Sequence, residues 1–165
     1  MSIAIREAAP NDWPSIWAVL EPVFRAGETY SYARDITAEQ ARHAWMELPA
    51  KTFVCTGADR AIIGTYYLKA NQPGQGSHVC NCGYVVSPAA RGLGAASAMC
   101  RHSQEAAIAL GFRSMQFNLV VSTNEGAVRL WQQLGFSIAG TLPGAFRHPT
   151  KGYVDAFVMF KHLVG

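Results

Sequence analysis

Apolar positions along the chain change period several times, and each change marks a predicted element. "IAIREA" (residues 3–8) alternates and predicts a short first strand. Trp13, Ile16, Trp17 and Leu20 recur at helical spacing. With Asn11 or Asp12 as the cap and Pro14 in the first turn, they predict a helix to about Phe24. After the polar loop "RAGETYSYARDI", Thr37 and Gln40 form a capping-box pattern that opens a second helix, to about Glu47. "KTFVCTG" and "AIIGTYYLKA" predict a hairpin turning at Ala58, Asp59 and Arg60. Beyond the glycine-rich loop "NQPGQGS", "HVCNCGYVV" is a fourth strand. Ala95 to Leu110 is a helix closed by Gly111, and "SMQFNLVV" is a fifth strand. Ser122 or Asn124 opens a further helix ending at Leu134, and "FSIAGTL" and "YVDAFVMFKHL" are the closing strands.

The resulting order, β-α-α-β-β-β-α-β-α-β-β, mixes antiparallel hairpins with one strand–helix–strand unit. It predicts an α/β fold with a mixed sheet. With 165 residues, half of them hydrophobic, and no repeat or linker, one domain spanning 1–165 is expected. The net charge of +3 suits an anionic small molecule, while the absence of a lysine-rich block or aromatic–basic ladder argues against nucleic acid. Cys80 and Cys82 form a C-x-C pair, but neither Cys55 nor Cys100 completes zinc spacing, so no metal is expected and all four are expected as reduced, buried residues. "MSIAIREAAPNDW" lacks the apolar stretch of a signal peptide, and no window has the ~18 apolar residues of a membrane span. A cytoplasmic protein with no membrane partner is the expectation.

The stretch "YVVSPAARGLGAASAMC" (residues 84–100) carries the candidate chemistry. Gly92 and Gly94 stand where the fourth strand hands over to a helix. There backbone N–H groups can approach a ligand closely, and the helix start adds unsatisfied donors. Arg91 adds a fixed charge suited to phosphate oxygens. A plain tight turn would use the same glycines. A dinucleotide fold is excluded because "GLGAAS" lacks the third glycine and no acidic residue ends the next strand, where Ser114, Gln116 and Asn118 stand. A phosphate-binding P-loop is excluded by the missing Gly-Lys-Ser/Thr ending.

"VVSPAARGLGAA" resembles the acyl-CoA signature of the GNAT N-acetyltransferases, Arg/Gln-x-x-Gly-x-Gly/Ala, met by Arg91, Gly94 and Ala96. "NEGAVRLWQQLGF" is similar to their second signature, an Asn-led helix ending in Leu-Gly-Phe. The resemblance extends over the whole chain and implies the GNAT fold, a mixed, mostly antiparallel sheet with one parallel strand–helix–strand unit and flanking helices. It implies acetyl-CoA as co-substrate and the amine of a small molecule as acceptor. A peptide N-terminus, a lysine side chain or a non-catalytic acyl-CoA sensor are the alternatives. It also implies that Arg91, Gly92, Leu93, Gly94, Ala95 and Ala96 hold the pyrophosphate. Backbone N–H groups of the fourth strand, about Val85 and Val86, would pair with the pantetheine arm and steady the thioester oxygen. Relatives of this kind are often dimers, so a homodimer is part of the expectation.

Three asparagines sharpen the picture. By alternation Met115, Phe117 and Leu119 share one face of the fifth strand and Asn118 the other. In a strand buried on both faces, Asn118 must be either a satisfied structural amide or a donor near the thioester. Asn124 is either the N-cap of the last helix or, if Ser122 and Glu125 form a capping box, a coenzyme A contact. Asn81 alternates opposite to Cys80 and Cys82, beside Gly83. "NCGY" with "FNLVVSTN" is similar to a GNAT branch that acetylates proline analogues such as azetidine-2-carboxylate, with phosphinothricin and methionine sulfoximine acetyltransferases as other near relatives. The resemblance implies that Asn81 and Asn118 bind the acceptor. Many GNAT enzymes place an acidic tyrosine in the last helix. Here Trp131 stands there, and an indole N–H cannot act as an acid, so a packing role against cofactor or core is expected. The loop "RAGETYSY" offers Glu28 and Tyr30, with Tyr32, for acceptor recognition or proton movement. His78 is a further base candidate, and Arg147, His148 and Lys151 form either another lip of the pocket or a solvated loop.

Overall fold

The alternating runs assemble into a single seven-stranded sheet in a computed structural model that describes residues 2–165. Its strands are β1 (Ala4–Glu7), β2 (Lys51–Thr56), β3 (Ile62–Ala70), β4 (Val79–Val86), β5 (Ser114–Val121), β6 (Ser137–His148) and β7 (Gly152–His162), in the spatial order β1-β2-β3-β4-β5-β7-β6. The helices are α1 (Trp13–Ala26), α2 (Ala38–Arg42), α3 (Ala95–Ala109) and α4 (Glu125–Gln133). The β4–β5 pair is parallel and every other pair antiparallel. A parallel pair needs a crossover, and α3 provides it. No helix among the described residues is long and apolar enough to cross a membrane.

Side-chain alternation along the central strands divides the core in two. Ile16, Leu20 and Phe24 of α1 and Trp45 pack with Val54, Tyr67 and Val85 on one face. Met99, Cys100 and Ala107 of α3 and Trp131 of α4 pack with Tyr66, Leu68, Cys80, Cys82 and Met115 on the other. All four cysteines are free and buried. Burial pushes each thiol up, Cys80 to about 12, so none is a ready thiolate.

Three predicted boundaries move, each for a local reason. The first helix runs to Ala26 and ends at Gly27 (φ 68°), while Asp12 gives its carboxylate to Arg6 and the Ala9 N–H instead of capping. The capping box of Thr37 and Gln40 forms, but the helix it opens passes into a π-helical turn over His43–Glu47. The sixth strand does not stop at Leu142. A bulge between Leu142 and Phe146 absorbs Pro143, Gly144 (φ 57°) donates its N–H to Asp155 Oδ1 at 2.9 Å, and pairing resumes to His148. Phe146 and His148, beyond the predicted end of this strand, are therefore buried strand residues.

The feature that positions the site is where pairing stops. β4 and β5 are bonded only from Val79↔Ser114 to Asn81↔Gln116, although β4 continues to Val86 and β5 to Val121. β5 also slips against β7 between Phe117 and Val120. The two strands splay apart, leaving an open edge in mid-sheet.

Candidate active site

At the C-terminal end of β4 a single 3-10 turn, Pro88–Ala90, leads into Arg91–Gly94 and then α3. Gly92 and Gly94 have φ of 81° and 84°, a region that side chains disfavour, and a Cβ at either would meet nothing within 4 Å. Gly94 caps α3 without a side-chain bond, so the N–H groups of the first helical turn face outward unpaired. Arg91, Gly92, Leu93 and Gly94 are exposed, whereas Ala95 is buried and Ala96 half-buried, anchoring the helix start. An open cradle of donors beside a guanidinium fits an anionic group such as a pyrophosphate.

Beside this cradle, from Arg91, a cavity of about 840 Å³ runs through the splay. Ser87 donates its N–H to Ile63 O on β3, and His78 O accepts from Arg113 on the opposite side. Odd-numbered β4 residues therefore direct their backbone groups to β3, and even-numbered ones to the open edge. Val86 thus presents its backbone groups to the cavity, as Tyr84 does its N–H, while the Tyr84 carbonyl is taken by the Tyr30 hydroxyl. Val85, expected to share that task, engages its N–H with β3 and lines the cavity through a buried side chain.

At the far end the cavity is closed by polar side chains in register. Lys69, Asn81 and Gln116 lie side by side on three adjacent strands. The Tyr67 hydroxyl donates to Asn81 Oδ1 (2.9 Å), and Asn81 Nδ2 donates to Gln116 O (3.0 Å) where pairing ends. The side chain of Asn81 thus reinforces the last paired position of the ladder. Asn118 is exposed, not buried as expected. It keeps the face opposite Phe117 but lies beyond the last β4–β5 pair, where it accepts from Gln116 Nε2 (3.0 Å) and donates to Asn71 Oδ1 (2.7 Å) at the rim.

The loop after α1 covers this end. Tyr30 donates its hydroxyl to Tyr84 O (2.8 Å), one of the open-edge carbonyls, and packs on Phe24, Tyr32 and Trp45. Gly83 admits this arrangement: a Cβ there would lie 2.6 Å from Tyr67 Cε2 and 3.1 Å from the Tyr30 hydroxyl. Burial, with Tyr67, Tyr32 and Cys82 nearby, holds the Tyr30 phenol well above its ordinary value, and burial does the same for Tyr67. Both are hydrogen-bond donors rather than bases. Glu28 is exposed and is the one carboxylate lining the cavity.

A model of the acetyltransferase (GNAT) family matches residues 13–136, a stretch from α1 through the glycine turn to α4. The chain belongs to that family. Over 104 residues it is 40% identical to N-acetyltransferase aca1 of Schizosaccharomyces pombe, an alignment spanning 62% of this chain and only 50% of that protein's length. A GCN5-related N-acetyltransferase from Kribbella flavida is 43% identical and superposes with a TM-score of 0.92 over 97% of both chains. A phosphinothricin acetyltransferase from Sinorhizobium meliloti, solved with acetyl-CoA, is 20% identical. It shares the fold with a TM-score of 0.88 over 99% of this chain and 90% of its own. The chain spans half the length of the curated Schizosaccharomyces pombe relative, and its residues 13–136 form a domain of the GNAT acetyltransferase family.

In GNAT terms, α4 carries the second signature. Asn124 occupies the N-cap position but makes no capping bond, and the Ser122–Glu125 box is not formed either. The Asn124 side chain lines the cavity. Trp131 is buried against Tyr84 and Phe117, with ring centroids 5.0 and 5.3 Å away, and forms part of the wall. His148, Thr150 and Lys151 line the cavity from the β6–β7 hairpin, but Arg147 and His78 do not. Nδ1 of His148 accepts from the Thr150 and Lys151 N–H groups (both 3.2 Å), which makes Nε2 its donor atom. Tyr67 and Lys69 were not singled out from sequence. The alternation of Thr65, Tyr67 and Lys69 along β3 was the signal that could have placed them on the Asn81 face.

Proposed function

We propose that the chain acetylates the amine of a small molecule, an amino acid or amino-acid analogue, with proline analogues such as azetidine-2-carboxylate first among them. One observation carries this reading: a single cavity runs from Arg91, beside the glycine cradle, along the open edge of β4 to Asn81, Lys69 and the Tyr30 loop, leaving room for a small acceptor. Arg91, Gly92, Leu93, Gly94, Ala95 and Ala96 hold the pyrophosphate, and Asn124 and Trp131 flank the pantetheine arm. Acetyl-CoA supplies an activated acyl carbon. The open-edge N–H of Val86 and the amide of Asn118 stabilise the negative charge that develops on its oxygen when an amine attacks.

Only a neutral amine attacks, and Glu28 at the mouth is the carboxylate placed to take its proton. Tyr30 stays protonated and holds β4 in place. Trp131 packs and carries no proton. The four free, buried thiols support a reducing, cytoplasmic setting. The test is release of free thiol from acetyl-CoA in the presence of a panel of amino acids, proline analogues, polyamines and peptides. Turnover confined to amino acids and their analogues supports the proposal, and turnover confined to polyamines or peptides overturns it.

A further inference from the structure

We infer that Lys69 reads a carboxylate on the acceptor and so sets the specificity of the site. This rests on the proposed small-acceptor reading. Lys69 is half-buried on β3, directly across from Asn81, and lines the cavity at its closed end. Its Nζ stands 5.3 Å from the centre of the Tyr67 ring, whose own hydroxyl is fixed by Asn81. Among the described residues it joins no ion pair and no side-chain hydrogen bond, so its three donors are unspent. Asn81, its neighbour, is in the opposite position. Its oxygen accepts from Tyr67 and one amide hydrogen goes to Gln116 O, leaving a single neutral N–H for a ligand.

The charges around the cavity point the same way. Its charged lining groups are Glu28, Lys69, Arg91 and Lys151, with His148, Cys82 and four tyrosines, Tyr30, Tyr32, Tyr67 and Tyr84, as the other ionisable ones. Arg91 sits at the α3 cradle, on a different element from Lys69 of β3. Glu28, the single carboxylate, lies exposed at the mouth. A polyamine or a lysine side chain would bring a second cation against Lys69. An amino acid brings a carboxylate to it, while its amine points towards Asn118 and the open edge. Lys69 is thus a charge-selective anchor beside a structural asparagine.

The experiment compares each amino acid that supports thiol release with its own carboxamide, in the parent and in Lys69→Met, Lys69→Arg and Lys69→Glu. In the parent the free acid is preferred. Lys69→Met is expected to lower that preference about 10- to 100-fold, the size of one hydrogen bond to a charged group, through KM for the acceptor. KM for acetyl-CoA stays within about twofold, which also shows that the variant folds. Lys69→Arg restores part of the preference and Lys69→Glu reverses it. An unchanged acid-to-amide ratio in Lys69→Met, with free acids still turned over, overturns the assignment of Lys69 while leaving the acceptor class intact. Failure of every free acid in the parent overturns the acceptor class, and this inference with it.

Discussion

At the α3 end of the cavity the recognition groups are backbone: two glycines at positive φ and the unpaired N–H groups of a helix start, in the open, with one exposed arginine beside them. At the β3 end they are side chains already bonded to one another, Tyr67 to Asn81, Asn81 to the β5 backbone, Tyr30 to the β4 backbone. The first end can lose affinity without losing stability. The second, the unbonded Lys69 apart, cannot, because its bonded groups hold the splay as well as the ligand.

Asn81→Leu breaks this contrast most severely. It strands the buried Tyr67 hydroxyl and removes the side-chain donor to the Gln116 carbonyl, and a loss on the order of 2–4 kcal/mol is expected in denaturant unfolding. Full retention of stability would show that water replaces the amide without cost. Gly83→Ala comes next. Its Cβ would press on Tyr67 and the Tyr30 hydroxyl, costing about 1–3 kcal/mol and raising KM for the acceptor.

Arg91→Ala acts at the other end. Calorimetric titration should give coenzyme A binding weakened about tenfold, roughly 1.4 kcal/mol, with the melting temperature of the free protein unmoved, since Arg91 is exposed and joins no ion pair among the described residues. The smallest expected effect concerns Cys80, beneath the acceptor end. Its folded pKa, about 12, lies above the unfolded value near 9, so the folded state keeps a proton that the unfolded state loses. That contribution is intact below pH 9 and declines as pH rises from 9 towards 12. Between pH 8 and 10 Cys80→Ala should flatten the fall in unfolding free energy by about 1 kcal/mol. The raised phenols of Tyr30, Tyr66, Tyr67 and Tyr84 extend the loss above pH 10.

The same contrast explains what was legible in the sequence. The α3 cradle is contiguous, so strand, proline, glycines and helix start could be taken in order from Tyr84 to Cys100. The acceptor end joins residues from four separate segments, and no local pattern links Tyr30 or Lys69 to Asn81. Burial on both faces failed at Asn118 because β5 has already left β4 there, and the strand end expected at Leu142 failed because a bulge lets β6 continue past Pro143, a residue that ordinarily ends a strand. Asn81 was found by its place opposite two cysteines, but its bond to the Gln116 carbonyl depends on where β5 leaves β4, which the sequence of neither strand records.

The central claim is that one cavity has a cofactor end and an acceptor end that act separately. Steady-state kinetics of Arg91→Ala and Asn118→Ala, with both substrates varied, test it most directly. The account predicts a crossed result: Arg91→Ala raises KM for acetyl-CoA and spares the acceptor, while Asn118→Ala lowers kcat and raises KM for the acceptor and spares acetyl-CoA. If both variants raised the same KM, the division of the cavity into two ends would be contradicted.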